Sequence, residues 1–521
     1  MPSPCKLRRG AVLYLRRFLR ARPRKKKKQS WVLQKNKILL ILAAVLLFIF
    51  VRLHFWSSTP ISGLQLPSPS LHLVPVETGS KAAFLLSAFY DARPLALLSS
   101  PRIVLLSVFD VAYLRLLFKA LPRHELQCLL RANEQVWQLD ATLTVMAEAN
   151  RKKMRPCFIK CTIPANIAEV ILSKKASAPT PMTVAVRMLE NSTVISTSPS
   201  IVVEYMPFAP FPPPLPNHTS PYSGPVGICV APVRGDIYAD DIHHFFHHYR
   251  ELARGDAWFL IYNHSAGPAT SRAILGSVNA GENVHVLQWT LESERFPETL
   301  GLSASMFYYG QMLAINDCLL RMVGHTQWVG YVDLDEYIVP RLPGLASLSD
   351  VLTAAHAPGL EIPASFMFLN SIFHGQCSTP TARRGDLSPP ERALYRSPGF
   401  FPPRNRSKIF SNPLAVSEQG IHWVRTFLDA ESLDKDENIS RVMESLWDRR
   451  RPLQCSYVEH IQLLKQSMTR VNVFVEANIS AIHHVKYIDF EKRGLDDCSG
   501  QPELFTFDDA ALPAQQHNRQ S

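Results

Sequence analysis

QWVGYVDLDE, residues Gln327–Glu336, is the stretch that decides how this 521-residue chain is read. Residues suited to a buried strand, Gln327–Val332, stop abruptly at Asp333-Leu334-Asp335-Glu336. Upstream, Met312, Ile315, Leu319 and Met322 recur at helical spacing. Val284–Trp289 (VHVLQW), Ala257–Tyr262 (AWFLIY) and Val226–Val233 (VGICVAPV) are apolar runs of strand length. Between the last two, Ile242, Phe245, Phe246, Tyr249 and Leu252 fall on one helical face. Strands alternating with amphipathic helices predict an α/β domain on a mostly parallel sheet covered on both faces. Such sheets gather ligands beyond the carboxyl ends of their strands, and the acidic cluster sits at one of those ends.

Along an extended chain side chains repeat every two positions, so Asp333 and Asp335 are expected to point the same way. Two carboxylates on one side repel unless a cation or donor intervenes. A divalent metal, which prefers hard oxygen ligands, resolves the repulsion. If it also holds a diphosphate, it neutralises the leaving group of a nucleotide-sugar. An Asp-x-Asp triplet alone is more often a surface turn or a helix cap; its place after a buried strand is what gives it weight. His243, His244, His247 and His248 have the i, i+4 spacing of a metal site. The glutamate of a HExxH motif is missing, and these histidines are read as surface or packing residues. In the His483-His484 pair, His484 is a candidate third metal ligand, with a packed core histidine as the competing reading.

The net charge of +12 belongs to one end of the chain. Residues 1–37 hold 14 Lys and Arg and no acid, whereas the remaining 484 hold 42 basic and 44 acidic residues. A nucleic-acid face across the body of the protein therefore loses its chief support. Ile38–Val51 (ILLILAAVLLFIFV), extended to Trp56, predicts a short membrane span. Arg24–Lys28 before it predicts a cytosolic N-terminus and a single-pass type II topology. A short span suits the thinner membranes of the early secretory pathway, which points to the Golgi. Six candidate glycosylation sequons, at Asn191, Asn217, Asn263, Asn405, Asn438 and Asn478, all follow the span. Eight cysteines also follow it, allowing up to four disulfides of undetermined pairing. Cys157 and Cys161 are read as a disulfide or as free thiols rather than a zinc site. Short β-branched runs over 82–206 predict a small β-rich domain of sandwich type. Eight prolines in residues 207–225 predict a linker.

Gln311–Leu319 (QMLAINDCL) followed by Trp328–Pro340 (WVGYVDLDEYIVP) resembles glycosyltransferase family 92. So do His248–Leu252 (HYREL) with Trp258–Asn263 (WFLIYN), Arg406–Ile409 (RSKI) with Gly420–His422 (GIH), and His484–Lys486 (HVK). Together they cover about 226–490 in the family's order. The resemblance implies a GT-A-like fold, a Golgi type II membrane protein, and an inverting, Mn²⁺-dependent galactosyltransferase. Its expected donor is UDP-galactose and its expected acceptor a galactose-terminated glycan, joined in β1,4 linkage. By position it implies nucleotide-sugar contacts from Asp333, Lys408 and His422, with Tyr262 and Asn263 near the base. It implies Mn²⁺ on Asp335, Asp333 and His484, although Val485 replaces the aromatic that usually follows the late histidine. Glu336 is expected to orient the neighbourhood. Inversion needs a base for the acceptor hydroxyl; Glu418 is the candidate, against the plainer reading of a solvated glutamate.

The expected order is thus a basic tail (1–37), an anchor (38–56), a stem (57–81), the β-rich domain (82–206), the linker (207–225), a catalytic domain (226–490) and a C-terminal tail (491–521). The competing functional reading is a non-catalytic, membrane-anchored carbohydrate-binding ectodomain.

Overall fold

Nine strands come before the proline-rich stretch: β1 (Val74–Thr78), β2 (Lys81–Asp91), β3 (Arg102–Asp110), β4 (His124–Ala132), β5 (Gln135–Val145), β6 (Met154–Thr162), β7 (Met182–Glu190), β8 (Thr193–Thr197) and β9 (Ile201–Tyr205). Helix α1 (Ala165–Leu172) lies between β6 and β7. The computed structural model describes residues 74–115, 124–205, 220–289, 305–356, 363–374, 388–428, 472–486 and 506–507, with short gaps inside several of these segments. All of them belong to one unit, Pro69–Ser521.

These strands close on themselves. The order β2-β3-β6-β5-β4-β7 is completed by β9, which pairs in parallel with β2 and antiparallel with β7. The result is a seven-stranded barrel around Leu85, Leu105, Leu130, Ile159, Val184 and their neighbours. Strand β5 turns the corner: Gln135–Asp140 pair with β4, and Ala141–Val145 pair with β6. Closure brings Cys128 and Cys161 together as a disulfide, with Cα atoms 6.1 Å apart. Cys157 stays a free, buried thiol. The barrel replaces the expected sandwich; β9 removes the two edges that a sandwich would leave open.

The second half begins with β10 (Val226–Gly235), α2 (Ala239–Leu252), β11 (Ala257–Ala266), α3 (Pro268–Asn279) and β12 (Val284–Gln288). Then come α4 (Gln311–Met322), β13 (Trp328–Val332), β14 (Glu336–Pro340) and α5 (Leu348–Ala355). α2 buries Ile242, Phe245, Phe246, Tyr249 and Leu252, and carries Asp240 and Asp241 in its first turn, where the helix dipole favours them. His247 on its exposed side pairs with Glu251 at 3.4 Å. His248 donates to Ile338 O at 2.8 Å, and burial pushes its pKa down to about 4. The disulfide Cys229–Cys318 ties β10 to α4.

The chain continues through β15 (Ser365–Phe368), β16 (Asn370–His374), α6 (Pro389–Arg392), β17 (Tyr395–Arg396), β18 (Lys408–Ser411), β19 (Val416–Gln419) and β20 (Val424–Phe427). It ends in β21 (Asn472–Val475), β22 (Ser480–Lys486) and β23 (Thr506–Phe507). One seven-stranded sheet runs β12-β11-β10-β13-β18-β15-β21. β10 to β12 step in one direction, and β13 then returns to the other side of β10. The boundary between β10 and β13 is therefore a topological switch point, where open α/β sheets hold ligands. Gly330 lets the sheet close against β18, since a Cβ there would lie 2.3 Å from Phe410 Cζ.

These observations correct the expected GT-A-like, mostly parallel sheet. The largest sheet is the barrel, whose ladders are antiparallel except β2–β9. In the second half β18 pairs antiparallel with both β13 and β15, and β14 antiparallel with β22. The expected membrane anchor, residues 38–56, lies outside the described residues. Among the described residues no helix is long and apolar enough to cross a membrane. With no membrane-crossing helix among the described residues, the single-pass membrane partner, the type II topology and the Golgi placement are withdrawn.

Barrel and α/β half share a polar core. Asp317 on α4 accepts from Ser87 Oγ (2.8 Å), Tyr262 OH (2.7 Å) and Arg321 Nε (2.6 Å). Arg321 also pairs with Glu204 of β9. Arg93 is gripped by both oxygens of Asp91 and donates to Pro413 O (2.8 Å) and Val416 O (2.6 Å). Burial alone would raise the Asp91 pKa, but Arg93 and Arg102 hold it well below the usual carboxylate range. A depressed carboxylate contributes stability that is present above its unfolded pKa and is lost as pH falls further. We predict that Arg93→Ala lowers stability by about 3 kcal/mol, because it removes the two-pronged partner of Asp91 and leaves that buried charge only the contact with Arg102 Nε at 3.2 Å. Urea unfolding at pH 7 and pH 3 checks this: the penalty should shrink at pH 3, where Asp91 can take up a proton.

Candidate functional site

Strand β13 ends at Val332, and the chain reverses through Asp333-Leu334-Asp335 into β14. The reversal is a tight turn, closed by Glu336 N donating to Asp333 O at 3.1 Å, rather than the extended segment expected from the sequence. Glu336 folds back inside it, accepting the Asp333 backbone N–H at 2.8 Å on Oε2. Pairing of β14 with β22 sets Glu336 opposite His484. Val485 N donates to Asp335 O at 2.8 Å, which fixes the outer arm of the turn.

One buried cation offsets part of the negative charge of this turn. Lys408 Nζ lies 2.6 Å from Glu336 Oε2 and 3.2 Å from Asp333 Oδ2. Burial alone would lower the Lys408 pKa, but Asp333 and Glu336 hold it above the ordinary lysine value. Burial pushes the Glu336 carboxyl up, with Lys408 acting against it. The two directions compete, one favouring an ion pair and the other a neutral acid. We place the charge on both groups, because Glu336 Oε2 accepts from Lys408 and from a backbone amide, and two donors favour a carboxylate. Asn370 Nδ2 adds a longer contact to Oε1 at 3.4 Å.

Asp333 and Asp335 both line a cavity of about 420 Å³ beyond the carboxyl ends of β10 and β13. Its wall includes Val230–Arg234, Asp236, Tyr238, Asp241, Tyr337 and Val485. The sequence reading missed Arg234, Asp236, Tyr238 and Asp241. A signal was available: a predicted strand runs into Arg234-Gly235-Asp236 and then a helix, the other half of a switch point. Gly235 takes a positive φ of 71° there.

His484 is buried, and neither ring nitrogen makes a hydrogen bond among the described residues. Its Nε2 lies 3.4 Å from Asp335 Oδ2, and its Nδ1 3.7 Å from Glu336 Oε1. A buried imidazole with unengaged nitrogens beside a half-exposed carboxylate is a donor set that suits a divalent transition metal such as Mn²⁺. Against this, no group of three or more His, Cys, Asp or Glu among the described residues is gathered as a metal site. Lys408 already occupies one face of Asp333.

The other anticipated residues are scattered. His422 Nδ1 donates to Ser407 O (3.0 Å) and Ser407 Oγ donates to His422 O (2.8 Å), so His422 sits one residue from Lys408 but outside the cavity wall. Tyr262 is buried in the barrel interface through Asp317. Asn263 is half-buried, with Ala266 N donating to its Oδ1 at 3.1 Å. Glu418 is buried in the β19–β20 hairpin rather than solvated, and does not line the cavity. Asn191, Asn405 and Asn478 are exposed, whereas Asn217 and Asn438 lie outside the described residues.

The profile described as glycosyltransferase family 92 matches residues 224–490. No curated protein matches the chain significantly.

Removing the buried cation tests the electrostatics of the turn. Lys408→Met should cost about 3–5 kcal/mol, the usual effect of stranding a buried charge. A carboxyl whose folded pKa is raised contributes stability that is present at low pH and lost as pH rises. The penalty should therefore be larger at pH 8 than at pH 5, and adding Glu336→Gln should recover most of it. Equal penalties at both pH values in urea melts would refute the neutralising role.

Proposed function

The chain belongs to glycosyltransferase family 92, and from that premise we propose that it transfers galactose from UDP-galactose to a galactose-terminated glycan, in β1,4 linkage and with inversion. The general statement, a glycosyltransferase-like protein, follows from the family match over 224–490. The observation that supports the finer reading is the cavity at the switch point, lined by both the acidic turn and Arg234. A nucleoside diphosphate carries the charge that Arg234 would meet, and Tyr238, 58% exposed, offers a ring at the mouth.

Mn²⁺ on Asp335 and His484, with Asp333 beside them, would offset negative charge on the departing UDP. The protein's own contribution is positional. Lys408 and Glu336 hold the turn in one shape, and the apolar walls Val230 and Val233 exclude water from its inner side. The acceptor proton needs a carboxylate near the reacting hydroxyl. Glu418, the candidate from its closeness to the Lys408–His422 segment, is buried away from the cavity, while Asp236 and Asp241 are the carboxylates that line it with the acidic turn.

A second reading, a carbohydrate-binding domain without turnover, is favoured by two observations: Lys408 on Asp333, and the lack of a gathered three-ligand metal site among the described residues. The two readings separate on nucleotide binding. We expect UDP to raise the melting temperature only when Mn²⁺ is present, because a ligand of the native state stabilises it by mass action. Asp335→Asn should abolish that shift and the release of UDP from UDP-galactose, without lowering the melting temperature of the free protein. Glycan retention with no UDP shift would favour the binding domain.

A further inference from the structure

Three consecutive residues just before α4, Tyr308, Tyr309 and Gly310, have φ values of 44°, 57° and 80°. Glycine adopts this left-handed region freely, but a tyrosine does so only when its surroundings impose it. Here the surroundings are visible at Tyr309. Trp289 Nε1 donates to Tyr309 O at 3.1 Å. Arg234 Cζ lies 3.5 Å from the Tyr309 ring centroid, and the His264 ring approaches it edge-on at 5.2 Å. The strain at Tyr308 has a different result: it turns a large aromatic ring outward, 62% exposed, supported from beneath by Phe307 at 4.3 Å between centroids. Strained backbone of this kind clusters at functional sites.

The position of this ring identifies its ligand class. Arg234 lines the cavity that holds Asp333 and Asp335, so Tyr309 is joined to the cavity wall through Arg234. Tyr308 is not part of that wall and is the chain neighbour of Tyr309. The face of Tyr309 is covered by a guanidinium, whereas Tyr308 is 62% exposed. A pyranose has one face of C–H groups, which packs on the negative face of an aromatic ring while its hydroxyls stay in water. We propose that Tyr308, propped by Phe307 and set by the left-handed backbone, is the stacking platform for a sugar ring of the acceptor glycan. This rests on the proposed transfer reaction and adds to it where the acceptor sits: outside the nucleotide cavity, on the Arg234 side. Tyr308 is a binding residue here and takes no part in bond breaking.

The test uses the full chain and N-acetyllactosamine. Saturation-transfer NMR without donor should show N-acetyllactosamine contacting the wild type, with the strongest transfer to C–H protons on one sugar face. Y308A should weaken that binding, and raise the acceptor KM, about tenfold or more, as loss of a stacking ring does elsewhere. Y308F should restore both, since the ring and not the hydroxyl makes the contact. Y308G, whose residue accepts the left-handed backbone, should lose binding as Y308A does while keeping or raising the melting temperature. The UDP-induced melting shift should be the same in all three variants. A smaller UDP shift in Y308A would assign the ring to the nucleobase and overturn the proposal. So would unchanged N-acetyllactosamine binding in Y308A, or no binding in the wild type. Sugar binding to Tyr308 without any turnover would leave the platform standing and remove the transfer reaction instead.

Discussion

The arrangement around the acidic turn depends on one buried ammonium. Glu336 is drawn inward by the turn and by β14 while Asp333 stays part-exposed at the cavity, and Lys408 from the antiparallel neighbour β18 meets both. Without it, two carboxylates would face each other at the closed end of a sheet, in surroundings that penalise each charge separately. With it, one of the two negative charges on the inner side of the turn is offset, and Asp335, which Lys408 does not contact, lies beside His484. The same cation that steadies the turn therefore contacts two of its acids and leaves the third, Asp335, to His484.

The barrel takes part in this arrangement. Arg93, locked by Asp91, holds Pro413 O and Val416 O, and Lys160 reaches Ser417 Oγ at 3.3 Å. From the other side the Asn316 amide brackets Gln419, giving to its carbonyl and receiving from its N–H, both at 2.9 Å. Strand β19 is thus fixed by the barrel and by α4 at once. The hairpin it begins carries His422, which is bonded to Ser407, the residue before Lys408. A chain of hydrogen bonds and peptide links runs from the barrel to the acidic turn. It gives the N-terminal half a positioning role that needs no ligand of its own, consistent with a barrel interior filled by Leu, Ile and Val side chains.

Much of the local structure was legible. The run Arg102–Phe109 is β3, Ala257–Tyr262 opens β11, and the apolar face of α2 is the one its periodicity marks. The acidic tetrapeptide could be placed at the end of a strand because Trp328–Val332 is apolar at every position and then stops. The expected direction of the sheets failed. Strand direction and barrel closure depend on which distant segments pair, and β9 joins β2 across more than a hundred residues without any local mark in its sequence. The Cys157–Cys161 spacing misled for the same reason: on one strand the two side chains point alike, and Cys161 meets Cys128 of β4 instead.

What the sequence determined by itself is the chemistry available: a pair of aspartates after a buried strand, a lysine and a late histidine, in an order that marks the family. Those are properties of residue type and spacing along the chain. Only the tertiary structure decided how they are shared out. It placed Lys408 against Asp333 and Glu336, brought His484 beside Asp335, and sent Tyr262 into the barrel interface. It also opened the cavity between β10 and β13 and left Tyr308 exposed. Each of these depends on contacts between segments far apart in sequence, where burial and partner choice, and not local propensity, set the energy.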